Sequence, residues 1–179
     1  MTGPLRDRFG LQYRLELYDE KDLVQILMRS AKILEIELTE DAAKILGGRC
    51  RGTPRVANRI LRRCRDVAQV RGSGIIDLEA ATKTLQMLGI DDQGLDPMDR
   101  KILSLMIDKF DGGPVGLNTI GAALGEESDT LEEVYEPYLI QKGLLSRTQR
   151  GRVVTHNAYR LLHKEIPRSK TSEQMELPL

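Results

Sequence analysis

The chain has no tryptophan, two phenylalanines, two cysteines and two histidines in 179 residues. Each scarcity excludes something. Cys50 and Cys64 have no CxxC or Cys/His spacing, so they read as ordinary thiols of a reducing cytoplasm, not as a metal site or a disulfide framework. His156 and His163 lack clustered Cys or Asp partners, and no metal ligands are expected. No apolar run approaches a membrane span and no signal peptide opens the chain, so no membrane partner is expected. There is no GxxxxGK[ST] loop to cradle a triphosphate, and no catalytic set is visible. The formal net charge is zero. Any affinity for nucleic acid must therefore come from local asymmetry.

That asymmetry is plain between Arg49 and Arg71. Thr53 can cap a helix whose first residue, Pro54, loses nothing by lacking an N–H. Val56, Ala57, Ile60, Leu61, Cys64, Val67 and Ala68 then repeat at helical spacing as one apolar stripe. Arg55, Arg59, Arg62, Arg63, Arg65 and Arg71 occupy the other faces. An arginine in the first turn works against the helix macrodipole. Arg55 is thus placed for an external anion such as a phosphate, the plainer reading being a solvated basic face.

Taken in order, Met1–Gly10 reads as the interior of a longer domain, and Leu11–Tyr18 alternates like a short strand. Helices are expected from Asp19 or Asp22 to Glu35, from Thr39 to Gly47–Gly48, from Thr53 to Gly72–Gly74, and from Asp77 to Gly89. Together they predict a small helical bundle. Gly89–Pro97 reads as a linker. Beyond it the pattern predicts helices over Pro97–Phe110 and Leu117–Leu124, then one capped by Thr130 and interrupted at Pro137. A β-hairpin follows, LLSRTQ and RVVTHNAY, turning at Arg150-Gly151-Arg152. Three helices and a hairpin predict a winged helix. The Ser/Lys/Glu-rich tail is expected to be disordered.

The second domain also divides its charge. Glu126, Glu127, Asp129, Glu132, Glu133 and Glu136 precede Lys142, Arg147, Arg150, Arg152, Arg160 and Lys164. The acidic helix would repel a phosphate backbone, which points to duplex contact through the wing. Gly151, lacking a Cβ, is expected to let the flanking arginines approach phosphates.

The strings PLRDRFG (Pro4–Gly10), LELY ending at Tyr18, RGTPRVANRILRRCRD (Arg51–Asp66), GIDDQGLDPMDRKIL (Gly89–Leu103), GGPVGL (Gly112–Leu117), EPYLIQKGLL (Glu136–Leu145) and RTQRGRVVT (Arg147–Thr155) resemble the C-terminal part of the RuvB family. These are Holliday-junction branch-migration helicases of the AAA+ ATPase class. The resemblance implies a mainly α chain with an AAA+ lid bundle and a winged-helix DNA-binding domain. It implies that residues 1–18 end a large ATPase domain, 19–95 form the lid, 96–165 the winged helix and 166–179 a tail.

The resemblance also implies roles. Arg8 matches a trans arginine finger, which in phosphoryl transfer is worth about 10³–10⁵ in rate. Arg55 matches sensor 2 on the phosphates of ATP, and Tyr18 a residue at its adenine end. Arg147 and Arg152, then Arg150, match the duplex-DNA contacts. ATP and Mg²⁺ are the family's cofactors. A homo-hexamer acting with RuvA and RuvC on Holliday junctions, in recombination, repair and the SOS response, is its cytoplasmic setting. The family's P-loop, acidic Mg²⁺ motif and sensor 1 would all precede Pro4, so this chain alone is expected not to hydrolyse ATP. The alternative is a stand-alone winged-helix regulator without enzymatic activity.

Overall fold

The computed structural model describes residues 16–71 and 74–167. Arg8, most of the expected Leu11–Tyr18 strand and the tail from 168 lie outside them; residues 16–19 carry no strand. The chain divides into two units between Gly94 and Leu95.

The first unit is the expected bundle. Helix α1 (Glu20–Ile33) is capped by Asp19, whose carboxylate accepts from the Asp22 N–H at 2.8 Å. Helix α2 (Glu40–Gly47) is capped by Thr39, and α4 (Leu78–Met87) by Asp77. The long α3 (Pro54–Arg71) starts where Thr53 Oγ1 accepts from the Val56 N–H at 3.4 Å. Its stripe is the centre of the core: Ala57, Ile60, Leu61, Cys64 and Ala68 are buried with Leu23, Leu27, Leu46 and Leu85. The leucines and the isoleucine among them each contribute about 1.5–3 kcal/mol by leaving water.

Two features escape the sequence pattern. Strands β1 (Glu37–Leu38) and β2 (Ile75–Ile76) pair in parallel. Two residues are too few to display an alternation. The linker is also partly fastened down. Arg49 donates to the Ile45 carbonyl (3.1 Å), the Asp91 carbonyl (3.3 Å) and the Asp92 carboxylate (2.7 Å).

The second unit opens with α5 (Pro97–Phe110), held by a capping box in which Asp96 and Asp99 each accept from the other's N–H. Helix α6 (Leu117–Leu124) ends at Gly125 in the left-handed conformation. Next come α7 (Ser128–Thr130), a π-helical turn (Leu131–Tyr135) and α8 (Glu136–Gln141) without a break. Thr130 is not the expected cap: it is already helical, and Glu127 is the extended residue before the helix. The interruption expected at Pro137 takes the form of the π turn, where the Glu136 N–H donates five residues back to Leu131. Pro137 itself offers no N–H.

Strands β3 (Leu145–Thr148) and β4 (Gly151–Val154) form the antiparallel wing, with Arg147 opposite Arg152. The turn therefore lies at Gln149–Arg150, one residue earlier than expected, and Gly151 and Arg152 belong to the strand. Val115 makes an isolated antiparallel bridge to Arg152, with N–H···O bonds of 2.9 and 2.8 Å. That bridge explains Gly151. Its φ is +139°, and a Cβ there would fall 2.6 Å from the Val115 carbonyl oxygen. Its missing side chain admits the Val115 backbone. The stretch HNAY is not strand either: α9 (His156–Leu161) begins directly after Thr155. Tyr138, Leu139, Leu145, Val154 and Tyr159 bury the wing and helices in one core.

Candidate functional site

Two places gather the residues singled out by sequence. The first is the start of α3. Arg51 and Gly52 both take positive φ, which turns the chain sharply into the helix. Leu17 packs on Gly52 so closely that a Cβ there would stand 2.6 Å from the Leu17 Cβ. The Tyr18 N–H donates to the Gly52 carbonyl at 2.8 Å. Tyr18 and Arg55, far apart in sequence, are thereby brought to one end of one helix. Tyr18 is 48% exposed. Arg55 is exposed in the first turn and has no ion-pair partner among the described residues. An exposed aromatic face and a free guanidinium at a helix start can hold a base and a phosphate. Arg59 and Arg62 are exposed further along α3, whereas Arg63 and Arg65 pair with Asp66.

The second place is the wing. Arg150 is exposed at the turn. Arg152 is not: its side chain is 14% exposed and lies on Glu136, which is 4% exposed. Arg152 Nη2 is 2.9 Å from Glu136 Oε2, and Nε is 3.2 Å from both carboxylate oxygens. Arg147, 54% exposed, donates to Glu132 and has Nε 3.3 Å from Glu136 Oε1. Glu132 also lies 3.7 Å from Arg152. Two carboxylates and two guanidiniums thus form a closed group, buried at one edge and open at the other. Of the three arginines assigned to DNA by resemblance, only Arg150 has no acidic partner among the described residues. Sequence reasoning took the acidic helix as something phosphates avoid. Its missed role is to receive the wing arginines, and the signal was present in the acidic stretch followed by a basic one.

Burial pushes the Cys50 thiol up to about 12, with neighbouring Cys64 adding to the shift. Burial likewise takes Cys64 to about 11, against the pull of a hydrogen bond from Thr84. No cluster of His, Cys, Asp and Glu that could hold a metal occurs among the described residues. No described helix is long and apolar enough to cross a membrane.

Both units match known protein families. The family profile described as the RuvB AAA lid domain matches residues 18–91. That of the RuvB C-terminal winged helix domain matches 92–163. A Holliday junction branch migration complex subunit RuvB from Myxococcus xanthus is 58% identical over 167 residues, 93% of this chain and 49% of the relative. Its counterpart from Koribacter versatilis is 54% identical over 172 residues, 96% of this chain and 48% of the relative. The structure of the Thermotoga maritima RuvB Holliday junction branch migration motor superimposes with a TM-score of 0.89 at 48% identity, over 93% of this chain and 56% of that one. The chain therefore belongs to the RuvB family, with its lid and winged-helix domains, and spans about half the length of these relatives.

Proposed function

We propose that this chain supplies the lid and the duplex-holding domain of a RuvB-type motor, which uses ATP hydrolysis to drive branch migration of Holliday junctions in recombination and repair. The observation that carries the reading is the Tyr18–Gly52 hydrogen bond, which sets an aromatic residue beside the start of α3 and its exposed Arg55. When bound, ATP supplies the phosphoanhydride whose cleavage drives the motor. In this chain Arg55 neutralises phosphate charge as sensor 2, and Tyr18 covers the base. Arg8 acts on the nucleotide of a neighbouring subunit as the trans arginine finger, in a hexameric ring that works with RuvA and RuvC in the cytoplasm. Magnesium binds with ATP on groups outside this chain. The wing holds duplex phosphates through Arg150 and Arg147, while Arg152 supports the wing from behind.

The test is duplex binding by fluorescence anisotropy over a salt series, with an ATPase assay on the same preparation. Sequence-independent, salt-sensitive binding and no ATP turnover are expected. Preference for one palindrome would favour a regulator instead, and Mg²⁺-dependent hydrolysis by the pure chain would overturn the assignment of catalysis to groups outside it.

A further inference from the structure

The wing arginines do not face solvent as bare cations. Arg147, on the exposed half of the quartet, already holds a carboxylate, that of Glu132, and both side chains are about half exposed. Glu136 is buried and held mainly by Arg152, with Arg147 Nε also 3.3 Å from its Oε1. The two acids thus differ in kind. Glu136 is fixed and cannot leave without stranding a buried charge. Glu132 reaches Arg147 from the solvent side, and an exposed ion pair of this kind is worth little. A duplex phosphate offers Arg147 an anionic oxygen acceptor of the same kind and brings a stronger field.

We propose that Glu132 is a built-in stand-in for a backbone phosphate, so that the wing takes up duplex DNA by exchanging the Glu132 carboxylate for a phosphate on Arg147. This rests on the reading that the wing contacts duplex. It assigns to an acidic residue the control over how tightly the motor grips its track. Exchange also limits counterion release. When phosphate displaces Glu132, the freed carboxylate remains beside the DNA and retains a cation, so one contact yields less than one ion. The grip is therefore weaker and less salt-dependent than the arginine count implies, as suits a protein that must let go and re-engage along a duplex. Glu136 is the positioning residue of the arrangement, because it holds Arg152 and so the strand facing Arg147.

The experiment compares the full chain with Glu132→Gln and Glu133→Gln, using anisotropy on duplexes of unrelated sequence between about 50 and 200 mM salt. Glu133 is exposed on the same π-helical turn and removes the same charge, but it touches no wing arginine among the described contacts. The expected result is that Glu132→Gln tightens binding about three- to tenfold at the lowest salt and steepens the log K against log salt slope by up to one unit. Glu133→Gln should change the affinity less than half as much on a logarithmic scale. Equal effects of the two variants would reduce Glu132 to bulk charge and overturn the exchange. Weaker binding by Glu132→Gln would overturn it too, making Glu132 a support for Arg147. If neither the wild type nor Glu132→Gln binds duplex, the reading of the wing itself fails and the exchange falls with it.

Discussion

Arg152 on β4 lays one edge of its guanidinium against the carboxylate of Glu136, at 2.9 and 3.2 Å, in a contact almost closed to solvent. The pair fastens the wing to the helix in front of it. A buried ion pair adds little when intact, yet losing one partner leaves an uncompensated charge. Glu136→Ala is therefore expected to destabilise the second unit by roughly 3–5 kcal/mol, read by urea titration of NMR signals from residues 97–161. Arg152→Ala should do the same. A loss of duplex binding on Arg152→Ala consequently reports a damaged wing before it reports a lost phosphate contact.

Arg150 offers the clean test of DNA contact. It is exposed at the turn, and its side chain has no ion-pair or hydrogen-bond partner among the described residues. Arg150→Ala should weaken binding to unrelated duplexes alike and reduce the salt slope by about one. Its thermal unfolding should match the wild type. An unchanged affinity would remove Arg150 from the interface.

The RGTPR segment separates structure from function within a few residues. Gly52 has φ +67°, and a Cβ there meets Leu17 at 2.6 Å. Gly52→Ala should cost the first unit about 1–3 kcal/mol through strain and displacement of Leu17. Arg55→Ala should stay within about 0.5 kcal/mol of the wild type, as expected for an exposed residue without an ion-pair partner among the described residues. Urea unfolding of both variants decides the matter; a strongly destabilised Arg55→Ala would mean that the arginine serves the fold.

The buried thiols predict an alkaline limit for the lid. Their ordinary value of 9.0 rises to about 12 in Cys50 and about 11 in Cys64. The folded state keeps these protons over a range in which the unfolded chain has lost them. Stability is thus complete below about pH 9 and falls as pH rises towards the folded values. Each thiol contributes about 1.4 kcal/mol per pH unit in that range. Between about pH 8 and 10, the first unit should lose roughly 2–3 kcal/mol more than a Cys50→Ala/Cys64→Ala variant does. Equal losses in both proteins would show that the thiols do not titrate on unfolding.

The helices were legible because their signals are local. Thr39, Thr53 and Asp77 cap where they stand, and the Val56–Ala68 stripe names its own buried face. The hairpin was legible for the same reason, to within one residue at its turn. What stayed hidden is pairing across distance. The β1–β2 ladder joins residues 37 and 75, and the Val115–Arg152 bridge joins 115 and 152. No periodicity records either. The candidate residues divide in the same way. Arg55 announces itself by opposing the dipole of its own helix. The fate of Arg152 depends on Glu136, sixteen positions away, and sequence alone left it among the DNA contacts.

The Arg49 clasp has a mechanical meaning. The loop between α2 and α3 is gripped twice, by Asp91 and Asp92 through Arg49 and by Tyr18 through Gly52. The chain entering the lid and the chain leaving it are tied to the same short span of backbone. The backbone that carries Arg55 is thereby staked from both sides, at the entry and at the exit of the lid, by contacts made wholly within the first unit.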